Sequence, residues 1–318
     1  MARWQSGEVA ACRYALRTML IMELLLGLTA VFTLIFILIW HNRRRYGRFL
    51  ATVPELVQTI RSDHLGQERT IYIYLPPKPA RSTKPRRFET LYLNDGQDRE
   101  ALRLRETLAR LYARGEIRPF IVVAIPTDEK RLHEYGTAVS PNAQGLGELA
   151  GAYGRFITTE LIPHIERHFP TQTTPQSRTF LGASLGGLSA FDIVWHHPDL
   201  FLNVGVFSGS FWWRAPAAVE NEAVTANRRL AHDMVRHSRY RPGFRAWFEA
   251  ATRDETADRD NNGVIDAIQD TLELIDELEK LGYRRGHDLI YHEVLGGQHN
   301  YATWSKVLPI FLRWLSNR

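Results

Sequence analysis

The hexapeptide Gly182-Ala183-Ser184-Leu185-Gly186-Gly187 constrains this chain more than any other segment. It stands between a short apolar run, Thr179-Phe180-Leu181, and a helix-like segment that opens at Gly187. A serine flanked by Gly182 and Gly186 at a strand-to-helix junction marks a turn too tight for side chains at the two flanking positions. Such a turn holds the Ser184 hydroxyl exposed above the carboxyl end of a sheet. It also points the Leu185 N–H, at the mouth of the following helix, to where a negatively charged oxygen would form. A Gly-x-Ser-x-Gly string occurs by chance in roughly one chain in ten of this length, given average glycine usage. The strand before it and the helix after it make the signal specific.

A nucleophilic serine needs a base. The strand-like run from Asp288 to Leu295 leads into Gly296-Gly297-Gln298-His299, and a helix-like run to Leu315 follows. His299 is thus expected on a loop at the carboxyl edge of the sheet. Serine, then acid, then histidine is the order of the α/β-hydrolase triad. The strand-like Phe244–Ala251 runs into Thr252-Arg253-Asp254-Glu255, so the acid is Asp254, with Glu255 as the alternative. Either would orient His299 and stabilise its imidazolium form.

On these residues the chain resembles the Putative esterase family of α/β-hydrolases, the family of esterase D and enterochelin esterase. The resemblance covers about Val53 to Arg318. It rests on Leu91–Gln97, Pro126 with Arg131 and Glu134-Tyr135, Gly182–Leu188, Phe207–Ser210 and Gly297–His299. It implies a serine esterase whose second oxyanion N–H comes from the loop after an early strand, here Gln97. The family pattern Gly-Thr before the acid reads Ala251-Thr252-Arg253-Asp254 in this chain. The resemblance leaves the substrate unnamed.

The remaining pattern agrees with that architecture. Thr70–Leu75 alternates and ends at Pro76-Pro77, a strand signal. Phe88–Leu93 and the near-continuous apolar runs Phe120–Ile125 and Asn203–Phe207 read as strands, the latter two as buried parallel ones. Arg99–Arg114, Leu149–Phe169, Leu188–Trp195 and Asp266–Leu281 have helical character. Strands alternating with helices predict an α/β fold, a mostly parallel central sheet flanked by helices.

The N-terminal part is different in kind. Residues 1–18 form an N-terminal tail, and Met19–Trp40 is long and apolar enough for a transmembrane helix at about 1.5 Å per residue. His41-Asn42-Arg43-Arg44-Arg45 opens a basic linker over 41–52, and the α/β-hydrolase domain fills 53–318. A cleaved signal peptide is the rival reading, but no small-x-small site follows the apolar run. The chain is therefore expected to be anchored to a membrane. Arginines on both flanks leave open the side on which the domain lies. The net charge of +5 comes with no aromatic–basic motif, so nucleic acid is not an expected partner. The single cysteine, Cys12, excludes an intrachain disulfide and a cysteine metal site.

A second chemical candidate is the loop from Asp258 to Asp266. Asp258, Asp260, Asn262 and Asp266 place oxygen atoms at alternate positions around Gly263, as in calcium loops. The twelfth position is Gln269 rather than an acid. Its alternative is a polar loop whose Asp266 caps the next helix. Catalysis by serine requires no cofactor, so calcium here would be structural. Trp212 and Trp213, after the Ser208-Gly209-Ser210 loop, and Arg131 and Tyr135 are candidates for the substrate cleft, with core packing and a structural ion pair as the alternatives.

These readings lead to a serine carboxylic-ester hydrolase acting on a small-molecule ester. An acyltransferase using the same triad, or a binding protein on a hydrolase scaffold, are the alternatives.

Overall fold

The computed structural model describes residues 51–77, 86–216 and 228–317, with scattered positions between 22 and 50. The chain divides into two compact units, Met1–Ala51 and Thr52–Arg318. In the first, the described positions from Met22 to Leu50 are helical. Among the described residues no helix is long and apolar enough to cross a membrane. The membrane helix expected over Met19–Trp40 lies in part outside them.

The second unit is built on eight strands. They are β1 (Glu55–Ser62), β2 (Gln67–Tyr74), β3 (Glu89–Asn94), β4 (Phe120–Ile125), β5 (Arg178–Ala183), β6 (Asn203–Phe207), β7 (Arg245–Arg253) and β8 (Leu289–Gln298). They form one sheet in the order β1-β2-β4-β3-β5-β6-β7-β8. β1 and β2 form an antiparallel hairpin, and β2 meets β4 antiparallel; every other neighbouring pair is parallel. The helices of this unit, in chain order, are α1 (Leu104–Ala113), α2 (Arg131–Glu134), α3 (Ala150–Arg155), α4 (Ile162–His168), α5 (Leu185–His196), α6 (Leu230–Arg236), α7 (Asp266–Lys280) and α8 (Tyr301–Ser316). The α/β fold with a mostly parallel sheet and flanking helices is thus as expected. Three readings need correction. Ala51–Arg61, which by its sequence reads as a connection from the N-terminal segment to the domain, is not a plain one, because Glu55–Ser62 pairs along its whole length with β2. The helix expected over 149–169 is interrupted by a π-helical segment, Phe156–Leu161, between α3 and α4. The helix expected from Arg99 begins only at Leu104, because Arg103 has a left-handed φ of 55°.

The central strands β4, β5 and β6 are buried at every position. Helices cover both faces, so these strands need apolar side chains up and down rather than alternation. On one face Phe191 and Trp195 of α5 pack with Phe211, Phe244 and Phe248. On the other, Phe311 of α8 meets Phe207 and Trp247 edge-on at 5.7 and 5.6 Å.

Order in the sheet decides where chemistry is possible. From β3 the chain passes to β4 on one side and then to β5 on the other. The carboxyl ends of β3 and β5 therefore flank a topological switch point, where connecting loops part and leave a crevice. The loop after β3 contains Asp95–Asp98, and the turn after β5 contains Ser184. Phe311→Ala would empty the contact between α8 and the sheet. It is expected to lower unfolding free energy by about 3–5 kcal/mol in urea denaturation.

Candidate active site

Ser184 caps α5 with φ 55° and ψ −128°. A side chain there is strained, and the surroundings hold it. The Ser184 N–H donates to the Phe207 carbonyl at 2.8 Å, and the Ser184 carbonyl accepts from Ser210 N at 3.2 Å. A Cβ at Gly182 would stand 2.0 Å from the Gly186 carbonyl oxygen, and one at Gly186 would stand 2.6 Å from an Asp95 carboxylate oxygen. Both glycines are therefore required by close approach. From the β3 side, Asn94 Nδ2 donates to the Gly186 carbonyl at 2.8 Å, and the Tyr153 hydroxyl donates to Asn94 Oδ1 at 2.6 Å.

His299 follows β8 and reaches Ser184, its Nε2 lying 2.8 Å from Ser184 Oγ. The next residue fixes it in place: Asn300 caps α8, its side chain accepting from Thr303 N at 3.1 Å. Trp304 meets the His299 ring edge-on at 5.1 Å. Asp254 Oδ1 lies 3.7 Å from His299 Nδ1, with the Asp254 side chain only 1% exposed. That separation is in ion-pair range and longer than a hydrogen bond. The Asp254 carboxylate is held by Ser208 Oγ, which donates to Oδ1 at 3.1 Å, and by Ala251 N, which donates to Oδ2 at 3.0 Å. Glu255 is exposed and forms no ion pair with His299 among the described residues. Burial raises its pKa, and the Ala267 N–H opposes that by donating to it. Geometry thus brings Ser184, His299 and Asp254 together, and turns Glu255 toward the start of α7.

A cavity of ≈ 280 Å³ opens over these groups. Ser184, His299, Ser210, Trp212, Glu255 and Ala267 are among its lining residues. Leu185 is the first residue of α5, so its N–H has no partner inside the helix. Gln97 sits in a one-turn 3₁₀ segment, Gly96–Asp98, after β3. Its side chain ties the neighbouring loop down, Oε1 accepting from Thr127 N at 2.9 Å.

Of the four cleft candidates, Trp212 is 45% exposed and lines the cavity. The other three belong to the framework. Trp213 and Tyr135 are 1% and 0% exposed, so neither lines a cleft. Arg131 is held by Asp95 through two bonds of 2.6 and 2.8 Å, while the Tyr135 hydroxyl accepts from Asp95 N at 3.0 Å. Glu134 pairs with the buried Arg69.

The calcium reading of the Asp258–Asp266 loop does not fit the donor set. Both Asp258 oxygens accept backbone N–H groups, from Asn262 at 3.1 Å and Gly263 at 2.9 Å. Asn262 Oδ1 accepts from Val264 N, Asp260 accepts from Gln269, and Asp266 Oδ1 accepts from Arg259 N. The Arg259 guanidinium lies 3.3 Å from Asp266 and 2.7 Å from Asp270, where it supplies the positive charge. Among the described residues no group of three or more His, Cys, Asp or Glu side chains is placed to hold a metal ion.

Two residues of this site were not singled out from the sequence. Ser208, at a left-handed φ of 46°, links Asp254 to Trp304, whose Nε1 donates to Ser208 Oγ at 3.0 Å. Glu249 lies fully buried on β7 beside it, and burial together with the Asp254 charge pushes its pKa up to about 8. The available signal was a lone acid in the run Ala246-Trp-Phe-Glu-Ala-Ala251. A charge in the middle of a buried strand demands an explanation.

The Putative esterase family model matches residues 62–315. The chain belongs to the Putative esterase family. Residues 62–315 are a carboxylic ester hydrolase domain. Among curated relatives the chain is 31% identical over 160 residues to the uncharacterized protein YbbA of Bacillus subtilis, covering 49% of this chain and 62% of that protein. It is 28% identical over 176 residues to the ferri-bacillibactin esterase BesA of the same organism, covering 48% and 57%. The chain thus spans less than two thirds of either relative. Among solved structures, the enterochelin esterase of Shigella flexneri superposes with a TM-score of 0.62 at 21% identity, over 84% of this chain and 58% of that one. This likeness establishes a shared fold.

Because the Asp258–Asp266 loop satisfies its own carboxylates, neither a chelator nor added calcium is expected to move the thermal midpoint. Paired melting curves with each check this, since a ligand of the native state would raise it.

Proposed function

We propose that this protein hydrolyses carboxylic esters through Ser184, with His299 as general base and Asp254 as the acid that orients it. The observation that carries this reading is the 2.8 Å approach of His299 Nε2 to Ser184 Oγ inside the cavity. With the imidazole proton on Nδ1 facing Asp254, Nε2 accepts the Ser184 hydroxyl proton as Oγ attacks the ester carbonyl. The N–H groups of Leu185 and Gln97 stabilise the oxyanion. Collapse of the tetrahedral intermediate expels the alcohol, which takes the proton from His299. Water then attacks the acyl-enzyme with His299 again as base, releasing the acid and Ser184. The 3.7 Å Asp254–His299 separation shortens as the imidazolium forms, because catalytic bonds tighten on the way to the transition state.

Trp212 offers an exposed ring at the cavity for an apolar or aromatic part of the ester. Glu255 lines the same cavity and contacts substrate rather than His299. Transfer of the acyl group to an alcohol would use the same residues, and an assay that measures both free acid and new ester separates the two. The protein is also proposed to be held at a membrane by the Met19–Trp40 segment, supported by the exposure of Leu26, Phe32, Phe36 and Trp40.

Ser184→Ala is expected to abolish labelling by a fluorophosphonate probe and nearly all hydrolysis of short acyl esters, and His299→Ala to cost nearly as much. Asp254→Ala should lower kcat by about two to four orders of magnitude, whereas Glu255→Ala should mainly raise KM. A larger kcat loss for Glu255→Ala would transfer the acid role to that residue. The full-length protein should sediment with membranes and resist extraction by alkaline carbonate; recovery in the soluble fraction would refute the anchor.

A further inference from the structure

Behind Asp254 stands a second carboxyl group that the ester chemistry does not use. Glu249 is 0% exposed, and its Oε1 has no hydrogen-bond partner among the described residues. Its Oε2 lies 3.4 Å from Ser208 Oγ. The Ser208 backbone N–H also donates to the Glu249 carbonyl at 2.8 Å, which fixes the two residues against each other. Ser208 Oγ therefore has three polar neighbours: Trp304 Nε1 at 3.0 Å, Asp254 Oδ1 at 3.1 Å and Glu249 Oε2 at 3.4 Å.

A serine hydroxyl has one proton to give and two lone pairs to receive. The indole N–H is a donor only and takes one lone pair. The Asp254 carboxylate accepts only and takes the proton. The one remaining capacity is to accept, so Glu249 completes the set only if it carries a proton of its own. We propose that Glu249 is a positioning residue for ester hydrolysis: as a neutral carboxylic acid it donates to Ser208 Oγ, which commits the single Ser208 proton to Asp254 and holds that carboxylate toward His299. This inference rests on the reading of Ser184, His299 and Asp254 as the triad. Deprotonation of Glu249 would make it compete with Asp254 for the same proton and repel the neighbouring carboxylate.

The surroundings favour the neutral form. On β6 the partner of Glu249 is the apolar Phe207, and Ser208 follows it. On β8 the partner is His292, stacked on Trp247 at 5.6 Å, and burial lowers its pKa. Tyr291 adds a phenol whose ionisation burial also opposes. α8 contributes Trp304, and His299 stands beyond Asp254. Burial acts most strongly against a charge on Glu249 and the neighbouring Asp254 carboxylate adds to it, while hydrogen bonding with Ser208 acts the other way and is outweighed. Among the described residues no cation offsets that carboxylate. A raised carboxyl pKa means the neutral form persists through neutral pH and is lost as pH rises through about 8.

The test compares kcat/KM against pH for the unaltered protein, Glu249→Gln and Glu249→Leu, using a soluble acyl ester. The unaltered protein is expected to lose activity on the alkaline side with a midpoint near pH 8. Glu249→Gln keeps a donor beside Ser208 that cannot ionise, so it should retain activity at neutral pH and lose that alkaline limb. Glu249→Leu removes the donor and should lower kcat by about ten- to a hundredfold, with KM little changed, the effect of one lost hydrogen bond in a chain ending on a charge. If the leucine variant does not fold by circular dichroism, the glutamine profile decides alone. Superimposable profiles for the unaltered protein and Glu249→Gln, an inactive Glu249→Gln, or a folded Glu249→Leu with unaltered kcat would each overturn the proposal. Ser184→Ala run in parallel separates the two levels. If it remains active, the triad itself fails. If it is inactive while the Glu249 variants behave as the unaltered protein, only the role of Glu249 fails.

Discussion

A non-glycine residue at φ 55° between a strand and a helix is the constraint to which the rest of this molecule answers. Left alone, that conformation costs about 1–3 kcal/mol, and it persists only because neighbours from several strands over-determine it. β6 binds the Ser184 N–H, the loop beyond β6 binds its carbonyl, and Asn94 at the end of β3 binds the Gly186 carbonyl. Each of these neighbours also has a place in the site. The β3 loop continues into Gln97, and the β6 loop begins with Ser208. The strain at Ser184 and the assembly of the cleft are thus one structural fact. The turn is stable because the residues that surround the reaction are in place.

Ser208 has a comparable place one layer further in. It too adopts a left-handed conformation, at φ 46°, which turns its hydroxyl back under the site. There it receives the Trp304 N–H and donates to Asp254. The two elements that carry His299 and Asp254, the start of α8 and the end of β7, are thereby joined through one hydroxyl group. Polar groups buried at this depth are costly when partly satisfied and rigid when fully satisfied. The charge state of Glu249 decides which of these holds.

Polar loops that look alike in sequence have different fates. Arg131 and Tyr135 were legible as candidates for the cleft because they follow a strand, yet the structure sets them to hold Asp95. The Asp258–Asp266 loop has the oxygen spacing of a calcium site, yet its carboxylates turn inward to backbone N–H groups and to Arg259. In both cases an arginine lies within reach of a carboxylate. A guanidinium that satisfies the carboxylate also removes the reason to bind anything else there.

The sequence by itself determined the elements whose signal is local. The apolar runs Phe120–Ile125 and Asn203–Phe207 are strands at those bounds, and the glycines around Ser184 announced the turn. The order of serine, acid and histidine followed from which loops come after strands. What lay beyond it were matters of distance between segments far apart in the chain. β1 is paired along its whole length with β2, which only the tertiary structure shows. Asp254 and Glu255 are neighbours in sequence and nearly equal in chemistry. Only the packing of β7 against Ser208 turns one toward His299, while the other pairs with no histidine among the described residues. Trp212 and Trp213 divide in the same way, one exposed and one buried. Adjacent side chains point in different directions, and the choice between them belongs to the tertiary structure, because burial is a property of the surroundings and not of the residue.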